Sequence, residues 1–141
     1  MCRWCGCAGY HSEFCRGFAV HDPARRKPLV YVAGPYTFPD PCVNTNAMIK
    51  VGTRLIEDGV VTPLVPLLTM LWHLVDPHPV EFWYAYDLEL LARCDVLLRL
   101  PGQSTGADIE VAEAQRLGTP VVFNVEELYD LALASAPGDQ S

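Results

Sequence analysis

The chain has 141 residues, half of them hydrophobic and 19% charged, with a formal net charge of −7. That is one domain's worth of globular chain, long enough for a single sizeable core and too apolar to stay unfolded. The acidic balance argues against a nucleic-acid polymer or an anionic membrane surface as partner, because both are polyanions, but it leaves room for a small anionic substrate held by backbone amides.

Two composition regimes meet near Lys27. Residues 1–28 hold four of the six cysteines and little apolar periodicity. They contain no apolar h-region of a secretory signal. The most apolar stretch, Val60 to Val75, is too short to span a bilayer and is broken by Pro63 and Pro66. A soluble cytoplasmic protein with mostly reduced thiols is expected. Cys2, Cys5, Cys7, His11 and Cys15 offer soft ligands, and four of them would satisfy a tetrahedral zinc ion. Their spacing fits no familiar zinc module, and a disordered leader would have the same composition. The expected cofactor is therefore none, with zinc at this N-terminal cluster as the alternative.

From Leu29 onward the pattern is regular. Leu29-Val30-Tyr31-Val32-Ala33 reads as a buried strand that stops at Gly34-Pro35. Asn44 to Asp58 reads as a helix with Ala47, Val51, Leu55 and Ile56 inward, ended by Gly59 at its C-cap. Val60 to Val65 suits a second strand, in which Pro63 limits pairing. Pro66 to Pro79 reads as a loop with a helical turn, and Glu81 to Arg93 as a helix. Asp95 to Leu100 is a third strand. Thr105 to Leu117 is a helix closed by Gly118, Pro120 to Phe123 a fourth strand, and Glu126 to Ala134 a last helix.

Strands alternating with helices at this spacing predict a single doubly wound, mainly parallel α/β sheet of the flavodoxin-like or Rossmann-like three-layer type. The domain spans residues 29–134 and residues 135–141 form a tail. In such sheets ligands lie beyond the C-terminal ends of the strands. Here those ends lead into Gly34-Pro35-Tyr36 and Pro101-Gly102-Gln103-Ser104.

Two carboxylates stand on faces where carboxylates are costly. On the helix from Thr105, Glu110 lies three residues after Ala107 and four before Ala114, on the packing side, while Asp108, Glu113 and Arg116 project elsewhere. Glu110 is either a functional carboxylate or a structural ion pair favoured by the helix dipole. On the helix from Glu81, Glu89 and Arg93 share a polar edge. Asp87 instead faces Trp83, Tyr84, Leu90 and Leu91, an environment that raises a carboxyl pKa toward that of a general acid. A hydrogen bond to a neighbouring loop would explain Asp87 equally well. Gly102-Gln103-Ser104-Thr105-Gly106 runs into a helix N-terminus, where free amides and hydroxyls can hold an anion or where Ser104 or Thr105 simply caps the helix. Thr105 and Asp108 also have the spacing of a capping box.

Taken together, Tyr31 to Thr37, Asp87 followed by Cys94-Asp95-Val96, and Ser104-Thr105-Gly106-Ala107-Asp108-Ile109-Glu110 followed by Ala114 and Gly118 to Val121 resemble the nucleoside 2-deoxyribosyltransferase-like superfamily. The nearest branch is DUF4406, from which no substrate carries over. The resemblance runs from about Leu29 to Leu128. It implies that Glu110 attacks the anomeric carbon of a (deoxy)ribosyl group, that Asp87 protonates the departing base, and that Tyr31 orients the nucleophile. It further implies that Gly34 leaves room for sugar or base, with Pro35 and Tyr36 beside it. Gly102, Ser104, Thr105 and Gly106 would hold sugar or a 5′-phosphate. The expected function is N-glycosidic cleavage or (deoxy)ribosyl transfer on a nucleoside or its 5′-monophosphate. The alternative is a nucleotide-binding or sensing module without turnover.

Trp83 or Tyr84 is a candidate lid residue that stacks on a base, with a packed loop or a subunit interface as the alternative. Trp72 is expected in the core or an interface, and His73 and His78 are read as structural or exposed rather than as metal ligands. A homo-oligomer, dimer or tetramer, is expected from the apolar middle segment.

Overall fold

In a computed structural model the structure describes residues 26–135. The zinc expectation at Cys2, Cys5, Cys7, His11 and Cys15, and most of the expected leader and tail, lie outside these residues. Strands β1 (Leu29–Ala33), β2 (Thr62–Leu64), β3 (Val96–Arg99) and β4 (Val121–Val122) form one parallel sheet in the order β2-β1-β3-β4. The helices are α1 (Pro41–Asp58), α2 (Thr69–Val75), α3 (Val80–Leu91), α4 (Thr105–Leu117) and α5 (Val125–Ala134), with a 3-10 turn at Pro66–Leu68 before α2.

The alternation of the pleat builds two cores. Val30 and Val32 of β1, with Val96 and Leu98 of β3, pack under Met48 and Leu55 of α1 and Leu128 of α5. Tyr31, Ala33 and Leu97 point the other way, toward Leu91 of α3 and Ala107 and Ala114 of α4. Neighbouring residues of a strand face opposite sides, so one apolar run serves both layers. This is the doubly wound, three-layer α/β architecture expected. Strand order reverses between β1 and β3, and the crevice at their C-terminal ends is where such sheets place a ligand.

Pro63 sits comfortably in β2 because β2 is an edge. The Thr62 amide donates to Pro28 O at 2.9 Å, so the next position, Pro63, turns its missing donor to the open side.

Three local expectations change. The start of α1 is at Pro41, not Asn44: Asp40 Oδ1 accepts from the Val43 amide at 3.0 Å, with proline in the first turn. Asn44 instead holds the loop after β1, donating through Nδ2 to Tyr36 O and Phe38 O, both at 2.8 Å. Second, the buried face of α1 is Met48, Gly52 and Leu55, while Ile56 is half exposed. A wheel weighted by large side chains overlooks Gly52, where a Cβ would come within 3.2 Å of Val65 Cγ2. Third, the segment after Pro66 contains the separate helix α2 rather than a single turn. The Gly59 and Gly118 C-caps are as expected.

Candidate active site

A cleft of about 1010 Å³ opens at the switch point. Its walls are the β1–α1 loop, the α2–α3 corner and the start of α4. Of the residues singled out from sequence, Gly34, Tyr36, Trp83, Asp87, Ser104, Thr105, Gly106 and Glu110 line it. Pro35 and Gly102 do not. They pack on each other behind the wall, where a Cβ on Gly102 would lie 2.9 Å from Pro35 Cγ and where φ is +117°. Both properties require glycine. Gly34 is less constrained: a Cβ there would meet Met48 Cε at 2.9 Å, the movable end of a flexible side chain, and Leu100 Cβ at 3.3 Å.

Tyr31 lies beneath the cleft, fully buried, and its hydroxyl donates to Glu110 Oε1 at 2.7 Å. The bond joins residues 79 positions apart in sequence. It exists because odd positions of β1 point toward α4 and because Glu110 occupies the inward face of that helix. Burial raises the tyrosine's pKa above its ordinary value, with the Glu110 and Asp87 charges adding to the shift. The group therefore stays a neutral donor.

Burial pushes the Glu110 carboxyl up to about 7. The Tyr31 hydrogen bond works against that rise, the negative charge of Asp87 adds to it, and the Arg99 cation opposes it. Asp87 is also pushed up to about 7, by burial alone. Its Oδ1 is buried and has no hydrogen-bond partner, so the loop contact that would have made it structural is not found among the described residues. The two carboxyls thus share a cleft with unequal support. Glu110 has a donor and a nearby cation stabilising its charge, whereas Asp87 has neither. When the pair holds one proton, that proton belongs on Asp87.

Arg99 was not singled out from the sequence. It closes β3 with only 11% of its side chain exposed, pairs with Asp108 at 3.2 Å and donates to Gly102 O at 2.8 Å and to Leu100 O. It clamps the loop between β3 and α4. An arginine in an otherwise apolar strand was the available signal. Asp108 is therefore engaged by Arg99 rather than in a capping box, and the cap is Ser104, whose Oγ accepts from the Ala107 amide at 3.1 Å. Gly106 lets α3 approach, since a Cβ there would stand 3.3 Å from Tyr84 Cε1.

The α2–α3 corner is aromatic. Trp83 is 8% exposed and donates through Nε1 to His73 Nδ1 at 2.8 Å. Trp72 and Phe82 meet its ring edge-on at 5.7 and 5.0 Å between centroids. Trp72 itself is half exposed, so it is not a core residue. The expected Glu89–Arg93 pair forms at 3.1 Å. Among the described residues no group of three His, Cys, Asp or Glu is placed to hold a metal ion, and no helix is long and apolar enough to cross a membrane.

No protein-family model matches this chain, and no curated protein matches it by sequence.

Proposed function

We propose that the chain is an N-glycosidase or (deoxy)ribosyl transferase of the nucleoside 2-deoxyribosyltransferase type, acting on a nucleoside or nucleoside 5′-monophosphate. The observation that carries this is the pairing, in one cleft, of a glutamate hydrogen-bonded by a buried tyrosine with an aspartate whose buried oxygen has no partner.

Ionised Glu110 attacks C1′ as the N-glycosidic bond breaks. Protonated Asp87 delivers its proton to the departing base, which leaves a glycosyl ester on Glu110 and a carboxylate at Asp87. Asp87 then takes a proton from water as the water oxygen attacks C1′, which frees the sugar and regenerates Glu110. A second base in place of water gives transfer. The Tyr31 hydroxyl orients Glu110 and stabilises its charge when the carboxylate leaves. Ser104, Thr105, Gly106, Gly34 and Tyr36 form the sugar or phosphate side of the pocket, and Trp83 walls the base side. A cytoplasmic homo-oligomer belongs to the same proposal, since Leu71, Leu74 and Val75 of α2 are exposed.

The test is base release from a panel of nucleosides and 5′-monophosphates by wild type and Glu110→Ala. Release by wild type, reduced at least about 10³-fold in the variant, is expected. If wild type releases no base while the same compounds raise its melting temperature, the chain is a binding or sensing module and catalysis is overturned.

A further inference from the structure

His73 carries a polar edge that the mechanism above does not use. Two donors converge on its Nδ1: the Trp83 indole N–H at 2.8 Å and the His78 backbone N–H at 3.3 Å. Neither group can accept, so Nδ1 must present a lone pair. Turning the ring over would set a C–H against the indole N–H, and protonating Nδ1 would set donor against donor. The geometry thus assigns the acceptor role to Nδ1 and the ring hydrogen to Nε2.

That Nε2–H makes no hydrogen bond among the described residues. It is not among the fully buried unpartnered atoms of the described residues, and His73 lines the cleft. The His78 ring is occupied elsewhere, stacked on Phe82 at 4.1 Å and 3.0 Å from Asp76 Oδ2. Only the backbone of His78 serves the clasp.

Position along the cleft gives this donor a meaning. Trp83 and Asp87 are one turn apart on α3, about 6 Å along its axis, on one face. In the proposed reaction a base that takes its proton from Asp87 would extend along that face toward Trp83. His73 meets the Trp83 indole nitrogen, so such a base would turn its edge remote from the sugar toward His73.

We propose that His73 is a specificity-determining residue whose Nε2–H donates to a carbonyl oxygen on the edge of the base remote from the sugar. The site then takes 6-oxopurines and 4-oxopyrimidines in preference to their amino counterparts, a conclusion that rests on the nucleoside chemistry proposed above. An exocyclic amino group at that edge would bring its own hydrogens against Nε2–H and leave both unpaired.

The test compares kcat/KM for inosine against adenosine and uridine against cytidine, with their 2′-deoxy forms, in wild type and His73→Asn. The asparagine Oδ1 keeps an acceptor for the Trp83 indole, but its side chain is too short to replace Nε2. Wild type is expected to favour the oxo base by about 3- to 10-fold, the worth of one net hydrogen bond, and the ratio is expected to fall toward one in His73→Asn. A purely structural role would lower all substrates together and leave the ratio unchanged.

Equal handling of oxo and amino bases by wild type, or an unchanged ratio in the variant, overturns this inference and leaves the proposed activity standing. If no base is released at all, the proposed activity fails. The inference is then read from the melting-temperature shifts that inosine and adenosine produce in wild type, where equal shifts overturn it.

Discussion

The two faces of the sheet are built from the same strands and are used differently. On one face Val30, Val32 and Leu98 meet Met48, Leu55 and Leu128 in an all-apolar layer. On the other, Tyr31, Leu97 and Cys94 lie under α3 and α4, and two partly buried carboxyls line the cleft. Partial burial is what lifts a carboxyl pKa toward neutrality, at a cost in stability. Both layers contribute a buried core, but only one carries the carboxyls of the proposed chemistry, and substitutions on the two faces test whether stability and that chemistry separate.

After Glu110 itself, the largest expected effect is at Asp87. Asp87→Asn removes the proposed acid, and base release is expected to fall about 10²- to 10⁴-fold, least for substrates whose leaving group needs no proton. The same variant gains in stability at alkaline pH. The folded carboxyl is held near 7, above its ordinary 3.8. Its contribution is thus full below about pH 4 and is lost as pH rises through about 7, so wild-type stability declines across that window. Denaturation at pH 5 and pH 8 should show a smaller difference for Asp87→Asn than for wild type. An equal difference would mean that Asp87 is not the group responsible.

Next is the opposite layer. Leu55 is fully buried against the α1–α5 core. Leu55→Ala should lower unfolding free energy by about 2–5 kcal/mol, while kcat measured well below the melting transition stays near wild type. A large fall in kcat in the still-folded variant would show that the layers are not separable.

The smallest effect is at Tyr31. Tyr31→Phe keeps the ring in the core and loses one donor, so the rate is expected to fall about tenfold, which is one hydrogen bond to a charged group. Tyr31 holds the Glu110 carboxyl down against burial, so its loss should move the acidic limb of the pH–rate profile to higher pH. A limb that stays put would leave Tyr31 with packing alone.

Much of this protein is local and therefore readable along the chain. Four strands and the main helices follow from apolar runs, periodicity and the caps at Gly59 and Gly118, because a helix face or a strand is defined by residues within one or two turns of each other. Glu110 and Asp87 were legible for the same reason, as carboxylates on faces that their neighbours mark as apolar. The start of α1 was not, since Asp40 and Asn44 are both capping residues and only the path of the preceding loop decides between them.

What the sequence by itself determined is the layered α/β class and the two misplaced carboxylates. What tertiary structure alone decided is who meets them. Nothing local to Tyr31 marks it, and only the resemblance had singled it out. Its bond to Glu110 depends on which face of β1 looks at α4 and on β3 lying next to β1. The Arg99 clamp and the His73–Trp83 bond likewise depend on how a loop and a helix corner fold back on their neighbours. Periodicity is written in adjacent residues, whereas strand order and helix packing are settled by burying the whole chain at once.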